Sequence, residues 1–281
     1  MSARRAVSEA NLRESDCVQS PTETHGAPKV GRGATIEALL LDCGGVMVAP
    51  VTGDWIVPPR YAKVLGADFF EKGLAEYRRV RRKYQHLIPD MQCIDSDEAE
   101  HRQFIAYMRP VFQEMGWPLT EAQLSLLAYE QVYDDARYSL FEDVLPYLEK
   151  WRGRYKLGIV SDAPPSLRRI MNKMGVSALL DAATYSCDLG VIKPDPRIYQ
   201  ATMDKLGVSP EQCIYVDDIP GKIRGATALG VRGVQMIRPM PEGFDAVVLV
   251  PQGGGEAAPD GDWDGAKVHD FAELDAWLLG N

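Results

Sequence analysis

Four short stretches of the chain place side chains that hold or move charge just after apolar runs. EALLLDCGGVMV (residues 37–48) closes a run on Asp42, follows it with Cys43, Gly44 and Gly45, and resumes with Val46-Met47-Val48. GIVSDA puts Ser161 and Asp162 after a second run, GVIKPDPRIY carries Lys193, and YVDDIPGK carries Asp217 and Asp218. A carboxylate, a hydroxyl, an ammonium and two further carboxylates form a set suited to phosphoryl chemistry. Clustered carboxylates hold a hard cation such as Mg²⁺ through one or two acidic ligands, with waters and substrate oxygens completing its shell. Lysine and the hydroxyl offset charge on phosphoryl oxygens. Two consecutive glycines let the main chain turn tightly and bring amides and a carbonyl toward a ligand.

Such a set works only if one scaffold gathers it. Ile36–Leu41 is apolar apart from Glu37, the pattern of a strand buried on both faces. Tyr155–Val160, Ala182–Ser186, Cys213–Val216 and Val231–Ile237 read as further strands. Between them Leu167–Met174, Arg197–Leu206 and Gly221–Leu229 read as helices, each preceding a glycine (Gly175, Gly207, Gly230) where a C-terminal cap is expected. This alternation predicts an α/β fold, a doubly wound, Rossmann-like parallel sheet. Ligands in such sheets sit at the carboxyl ends of the strands, where all four stretches fall.

Residues 53–137 break the alternation. Leu74, Tyr77, Val80, Tyr84 and Leu87 form one apolar stripe at spacings of three and four, and Phe104, Met108, Val111, Phe112 and Met115 form another. Thr120 with Gln123 predicts a capping box. The expected organisation is a disordered tail over 1–34, an α/β core over 35–52 plus 138–281, and an all-helical cap over 53–137. The links near Val51-Thr52-Gly53 and Tyr138-Ser139 are expected to act as hinges. A Gly/Pro/Asp-rich loop over 251–267 precedes a short last strand and a closing helix.

Composition narrows the function classes. A formal net charge of −9 disfavours bulk nucleic-acid binding, which relies on neutralising phosphates with Lys and Arg. No stretch approaches the ~20 apolar residues that span a bilayer, and residues 1–34 lack the apolar centre of a secretory signal. Five scattered cysteines (Cys17, Cys43, Cys93, Cys187, Cys213) without a C-x-x-C pair predict free thiols in a reducing cytoplasm.

In order and spacing, LLLDCGGV, GIVSDA, GVIKPDPRIY and YVDDIPGKIRGATALG resemble the four motifs of the haloacid dehalogenase superfamily. The likeness is to the branch whose helical cap follows the first strand, and it covers most of residues 36–280. The resemblance implies that Asp42 is a nucleophile forming a covalent aspartyl intermediate, that Ser161 binds the transferring group, and that Lys193 orients Asp42 and offsets charge. It implies Mg²⁺ held by Asp42, Asp217, Asp218 and the carbonyl of Gly44. Ser161, Asp162, Lys193 and Gly45 make up the implied substrate-binding set, with Asp162 and Asp195 also expected as turn formers. The implied activity is a Mg²⁺-dependent phosphatase acting on a small phosphorylated metabolite, as a monomer or homodimer, with no nucleic-acid or membrane partner.

Two positions depart from that pattern. Phosphatases of the superfamily usually carry a second aspartate, the general acid/base, where this chain has Gly44; His86, His101 and Asp54 are candidates to replace it. Lys222 stands where an asparagine is common. The gap at Gly44 leaves two alternatives open: a weak or inactive relative that binds a phosphorylated ligand or partner, and dehalogenase-type cleavage. The latter needs no Mg²⁺ and is opposed by the Asp217-Asp218 pair. Cys43 reads as a small apolar filler rather than a redox group. YRRVRRKY (77–84) reads as a solvated helix face, with steering of anionic substrates as its functional alternative.

Overall fold

The computed structural model describes residues 35–66, 68–87, 94–244 and 263–280. The expected tail (1–34) and most of the 251–267 loop lie outside these residues. The chain runs through β1 (Ala38–Leu41), β2 (Val48–Pro50), α1 (Tyr61–Leu65), α2 (Leu74–Arg81), α3 (Asp97–Glu114) and α4 (Glu121–Tyr133). It continues through β3 (Tyr138–Leu140), α5 (Val144–Trp151), β4 (Lys156–Ser161), α6 (Pro165–Lys173), β5 (Ala182–Tyr185), α7 (Ser186–Leu189) and α8 (Pro196–Leu206). The last elements are β6 (Cys213–Asp217), α9 (Pro220–Thr227), β7 (Arg232–Met236), β8 (Ala266–Val268) and α10 (Phe271–Gly280).

Six strands form one parallel sheet in the order β5-β4-β1-β6-β7-β8. Its central strand explains the apolar run. All four residues of β1 are fully buried, and successive side chains serve opposite layers. Leu39 and Leu41 join Trp151, Ile170 and Phe271 on one face, while Ala38 and Leu40 join Ile198, Tyr199 and Met203 on the other. From β1 the chain builds outward through β4 and β5, then crosses back to β6, β7 and β8. The direction of winding therefore reverses between β1 and β6, the crevice where ligands of such sheets bind.

Between β2 and β3 the described residues form no strand. The insert's helices share an apolar cluster of their own that includes Tyr61, Tyr77, Phe104, Met108, Phe112 and Leu127. Ser96 caps α3, and the Thr120/Gln123 capping box opens α4 as the sequence predicts. Tyr138 and Ser139 pair antiparallel with Pro50 and Ala49, so the insert leaves and returns through a two-stranded ribbon that the sequence pattern does not predict. A three-residue strand is too short to show alternation, which is why the pattern missed it. Among the described residues, no helix is long and apolar enough to cross a membrane.

Candidate active site

β1 and β6 pair in register up to Leu41 and Val216, and the amide of Asp42 donates to the Val216 carbonyl at 3.0 Å. Asp42 and Asp217 therefore emerge side by side. After Asp42 the chain folds back on itself: the Cys43 carbonyl accepts from the amides of Met47 (2.8 Å) and Val48 (3.0 Å). The Gly45 amide donates to the Val48 carbonyl at 2.9 Å. Arg238, beyond β7, clamps this turn by donating from Nε to the Val46 carbonyl at 3.1 Å.

Gly45 is required twice over. Its φ is +72°, and a Cβ there would lie 2.4 Å from Asp218 Oδ2. Gly45→Ala is expected to cost ~1–2 kcal/mol for the left-handed conformation alone, and to push the Asp218 carboxylate out of place. Gly207 (φ +63°) has nothing within 4 Å of its Cβ position, so Gly207→Ala isolates the strain. Denaturant melts of both variants check this: Gly45→Ala should lose more stability than Gly207→Ala.

Lys193 is buried at the centre of the site. Its Nζ lies 2.9 Å from Asp42 Oδ1 and 2.8 Å from Asp217 Oδ2. Asp217 is fully engaged: Oδ2 accepts from Lys193 and from the Tyr215 hydroxyl, and Oδ1 from the Ile219 amide at 2.8 Å. Carboxylate oxygens of Asp42, Asp217 and Asp218 all lie within 4.8 Å of one another.

The electrostatics separate these three acids. Burial raises the Asp42 carboxyl above its usual value, Lys193 partly counters this, and Asp217 adds to the rise. Burial, then Asp217 and Asp42, push Asp218 well above the usual range. Burial acts in the same sense on Asp217, yet Lys193, Lys222 and its hydrogen bonds hold it below. Lys193 is held well above the ordinary lysine value, burial being outweighed by Asp217, Asp42 and Asp162.

Ser161 ends β4 on the other side of β1 and is buried there. Asp162 Oδ1 accepts from the Lys193 amide at 2.8 Å and its Oδ2 pairs with Lys222 at 3.2 Å, so its side chain braces the protein. The amide of Gly45 donates inside the turn. Asp195 caps α8 by accepting from the Arg197 amide, as a turn former should.

Two of the three candidate substitutes for the acid at position 44 have partners within the insert. Asp54 is buried in the insert, where it accepts from Arg81 Nη1 (2.7 Å), Arg78 Nε (2.9 Å) and the Ile56 amide (3.0 Å). His101 Nε2 hydrogen-bonds the Ser125 carbonyl at 2.9 Å, tying α3 to α4. His86 belongs to a 3₁₀ turn over Arg82–Leu87, and its side chain lies outside the described set. In the basic run, Arg78 and Arg81 turn inward to Asp54, Arg79 pairs with Glu76 and Lys83 with Glu114. These pairs account for much of the charge that would steer a substrate. Cys43 is fully buried and its thiol pKa is pushed up by burial, then by Asp42, as suits a filler.

Two residues that the sequence did not single out, Tyr215 and Trp55, belong to this site, together with Lys222, which the sequence marked only as a departure from the motif. Tyr215 sits two residues before Asp217 in β6 and braces it; the period of two puts them on one face. Lys222, one turn into α9, is a second cation. Burial and Lys193 oppose its charge, yet Asp162, Asp217 and Asp42 hold it above the ordinary lysine value. Trp55 packs against Gly44, with the benzo edge of its indole 3.2 Å from where a Cβ would be. Nothing local in the sequence signals that contact.

The pattern of the haloacid dehalogenase-like hydrolases matches residues 36–230. The chain belongs to this family of hydrolases. Phosphatase MT3486 of Mycobacterium tuberculosis is 35% identical over 113 residues, 39% of this chain and 48% of that protein. The phosphoserine phosphatase of Thermus thermophilus is 32% identical over 105 residues, 36% of this chain and 42% of that protein. The (S)-2-haloacid dehalogenase 4A of Burkholderia cepacia is 31% identical over 102 residues, 36% and 44%. The matches therefore span under half of each relative's length. Among solved structures, L-2-haloacid dehalogenase from Xanthobacter autotrophicus superposes with a TM-score of 0.59 at 19% identity, covering 88% of this chain and 99% of that one. That likeness is one of fold.

Proposed function

We propose that this hydrolase is a Mg²⁺-dependent phosphatase that acts on a small phosphorylated metabolite through an aspartyl-phosphate. The observation that carries the reading is the group of three carboxylates, with oxygens within 4.8 Å of one another, around one buried lysine. That donor set fits a hard dication. Asp42, Asp218 and the Gly44 carbonyl, with Asp217 behind them, would hold Mg²⁺, which when bound offsets the charge of the carboxylates and of phosphoryl oxygens.

In this reading the Asp42 carboxylate attacks phosphorus and the bond from phosphorus to the leaving-group oxygen breaks. Lys193 keeps Asp42 ionised and oriented, and Ser161 donates to the transferring group. Water then cleaves the acyl phosphate and restores the carboxylate. Gly44 has no proton to give, and Asp54 and His101 are engaged within the insert. Leaving groups stable as anions are therefore favoured. The phosphatases among the relatives support the reading. The dehalogenase relative marks the competing reaction, but displacement of halide from carbon brings no phosphoryl charge for a cation to offset.

The test is turnover of nitrophenyl phosphate with Mg²⁺, after exhaustive chelation, and after Mg²⁺ is restored. Activity should vanish with the chelator and return with the ion. A ligand bound only by the folded state stabilises it, by ~2.7 kcal/mol at a hundredfold excess over its Kd, so the melting temperature should rise with Mg²⁺. Unchanged melting and unchanged turnover after chelation would refute the metal-dependent reading. Absence of turnover with the melting response intact would favour a binding role.

A further inference from the structure

Trp55 is held from two sides. It is partly buried against the core's apolar cluster and against the insert's. Its ring meets Tyr138 (centroids 5.5 Å apart, 64° between planes) and Phe244 (6.4 Å, 78°), both edge-on. Its carbonyl accepts from Gln131 Nε2 of α4 at 3.1 Å. A Cβ on Gly44 would lie 3.2 Å from Trp55 Cη2 and 3.5 Å from Cζ2, so the indole occupies the space into which a side chain at 44 would project. Gly44 is two residues from Asp42, in the same turn. Trp55 as a whole is half-buried.

We infer that Trp55 selects the leaving group: it forms an aromatic wall beside Asp42 against which a planar aromatic group on the phosphate stacks, making aryl phosphates the preferred substrate class. This rests on the phosphatase reading above. Two features converge on that class. The turn supplies no acid, so the departing oxygen must carry its negative charge unaided, which an aryloxide does by delocalisation and an alkoxide does poorly. The space that an acid would fill holds an indole instead, whose π-surface attracts another aromatic ring in an offset or edge-on arrangement.

The experiment compares naphthyl phosphate with hexafluoroisopropyl phosphate, whose leaving groups are of similar acidity but differ in aromaticity. kcat and KM are measured for the wild type, Trp55→Phe and Trp55→Leu, with melting curves to confirm folding. Asp42→Asn, titrated with each ester by calorimetry, reports binding without turnover. The wild type should favour the naphthyl ester by about three- to tenfold, the range of one aromatic pair, with the difference in KM. Trp55→Phe should keep most of the preference and Trp55→Leu should lose it, and the Asp42→Asn affinities should show the wild-type ratio. Equal use of both esters by the wild type, or a preference that survives in Trp55→Leu, overturns the role of Trp55 and leaves the phosphatase reading standing. If the wild type cleaves neither ester and Asp42→Asn binds neither, the phosphatase reading fails and the inference fails with it.

Discussion

Asp42→Asn should lower turnover by ~10⁴-fold or more, the scale on which loss of a nucleophile acts, while the folded protein persists. The amide keeps the size of the carboxyl and fits among Lys193, Asp217 and Asp218. Stability should move the other way in metal-free protein. Burial raises the folded-state pKa of Asp42 above its unfolded value, with Lys193 only partly compensating. A group shifted in that direction contributes stability below its unfolded pKa and loses it as pH rises through the folded pKa. At neutral pH the ionised Asp42 therefore burdens the fold, and asparagine removes the burden. Urea melts of chelated wild type and variant should show a gain at neutral pH that shrinks toward acid pH. Retained turnover would remove Asp42 as the nucleophile, and a variant less stable at neutral pH would contradict the charge argument. Gain of stability with loss of activity is common where an active site concentrates like charges.

Lys193→Met should have the largest effect on stability. The ammonium is the shared partner of Asp42 and Asp217 at 2.9 and 2.8 Å, buried with them. Breaking a buried pair by removing one partner costs ~3–5 kcal/mol, because the other charge is left uncompensated. Asp217 would keep only the Tyr215 hydroxyl and the Ile219 amide. The pH dependence has a definite sign. Burial raises Asp217, but Lys193, Lys222 and hydrogen bonds bring its folded-state pKa below the unfolded value. Its stabilisation is thus present above the ordinary carboxylate range and lost as pH falls through the lowered pKa. Removing the lysine should cost most near neutrality and less in acid, where the carboxylates protonate in both proteins. Denaturant melts at the two pH values decide this; an equal cost at both would point to lost packing of the lysine stem instead. Turnover should fall as well, since Lys193 is the group nearest Asp42 that offsets its charge.

Residues 37–48 show where the boundary between sequence and structure lies. The apolar run before Asp42 determined a strand buried on both faces, and the alternating side chains of Ala38–Leu41 do divide between two clusters. Strand–helix alternation placed Asp42, Ser161, Lys193, Asp217 and Asp218 at one end of one sheet. The Thr120/Gln123 box opened a helix as written. Each of these is a local rule, readable within a few residues of its own position.

Partnership is not local. Asp54 looked available for proton transfer until folding set Arg78 and Arg81, 24 and 27 residues on, against it. Asp162 looked free to meet substrate until the Lys193 loop and Lys222 took both its oxygens. Trp55 was an unremarked residue of the insert until packing laid its ring on Gly44. A buried charge or ring is defined by what lies within a few ångströms of it, and only the crossing of distant segments decides that. The sequence by itself determined which chemical groups reach the site; the tertiary structure decided which of them are already occupied.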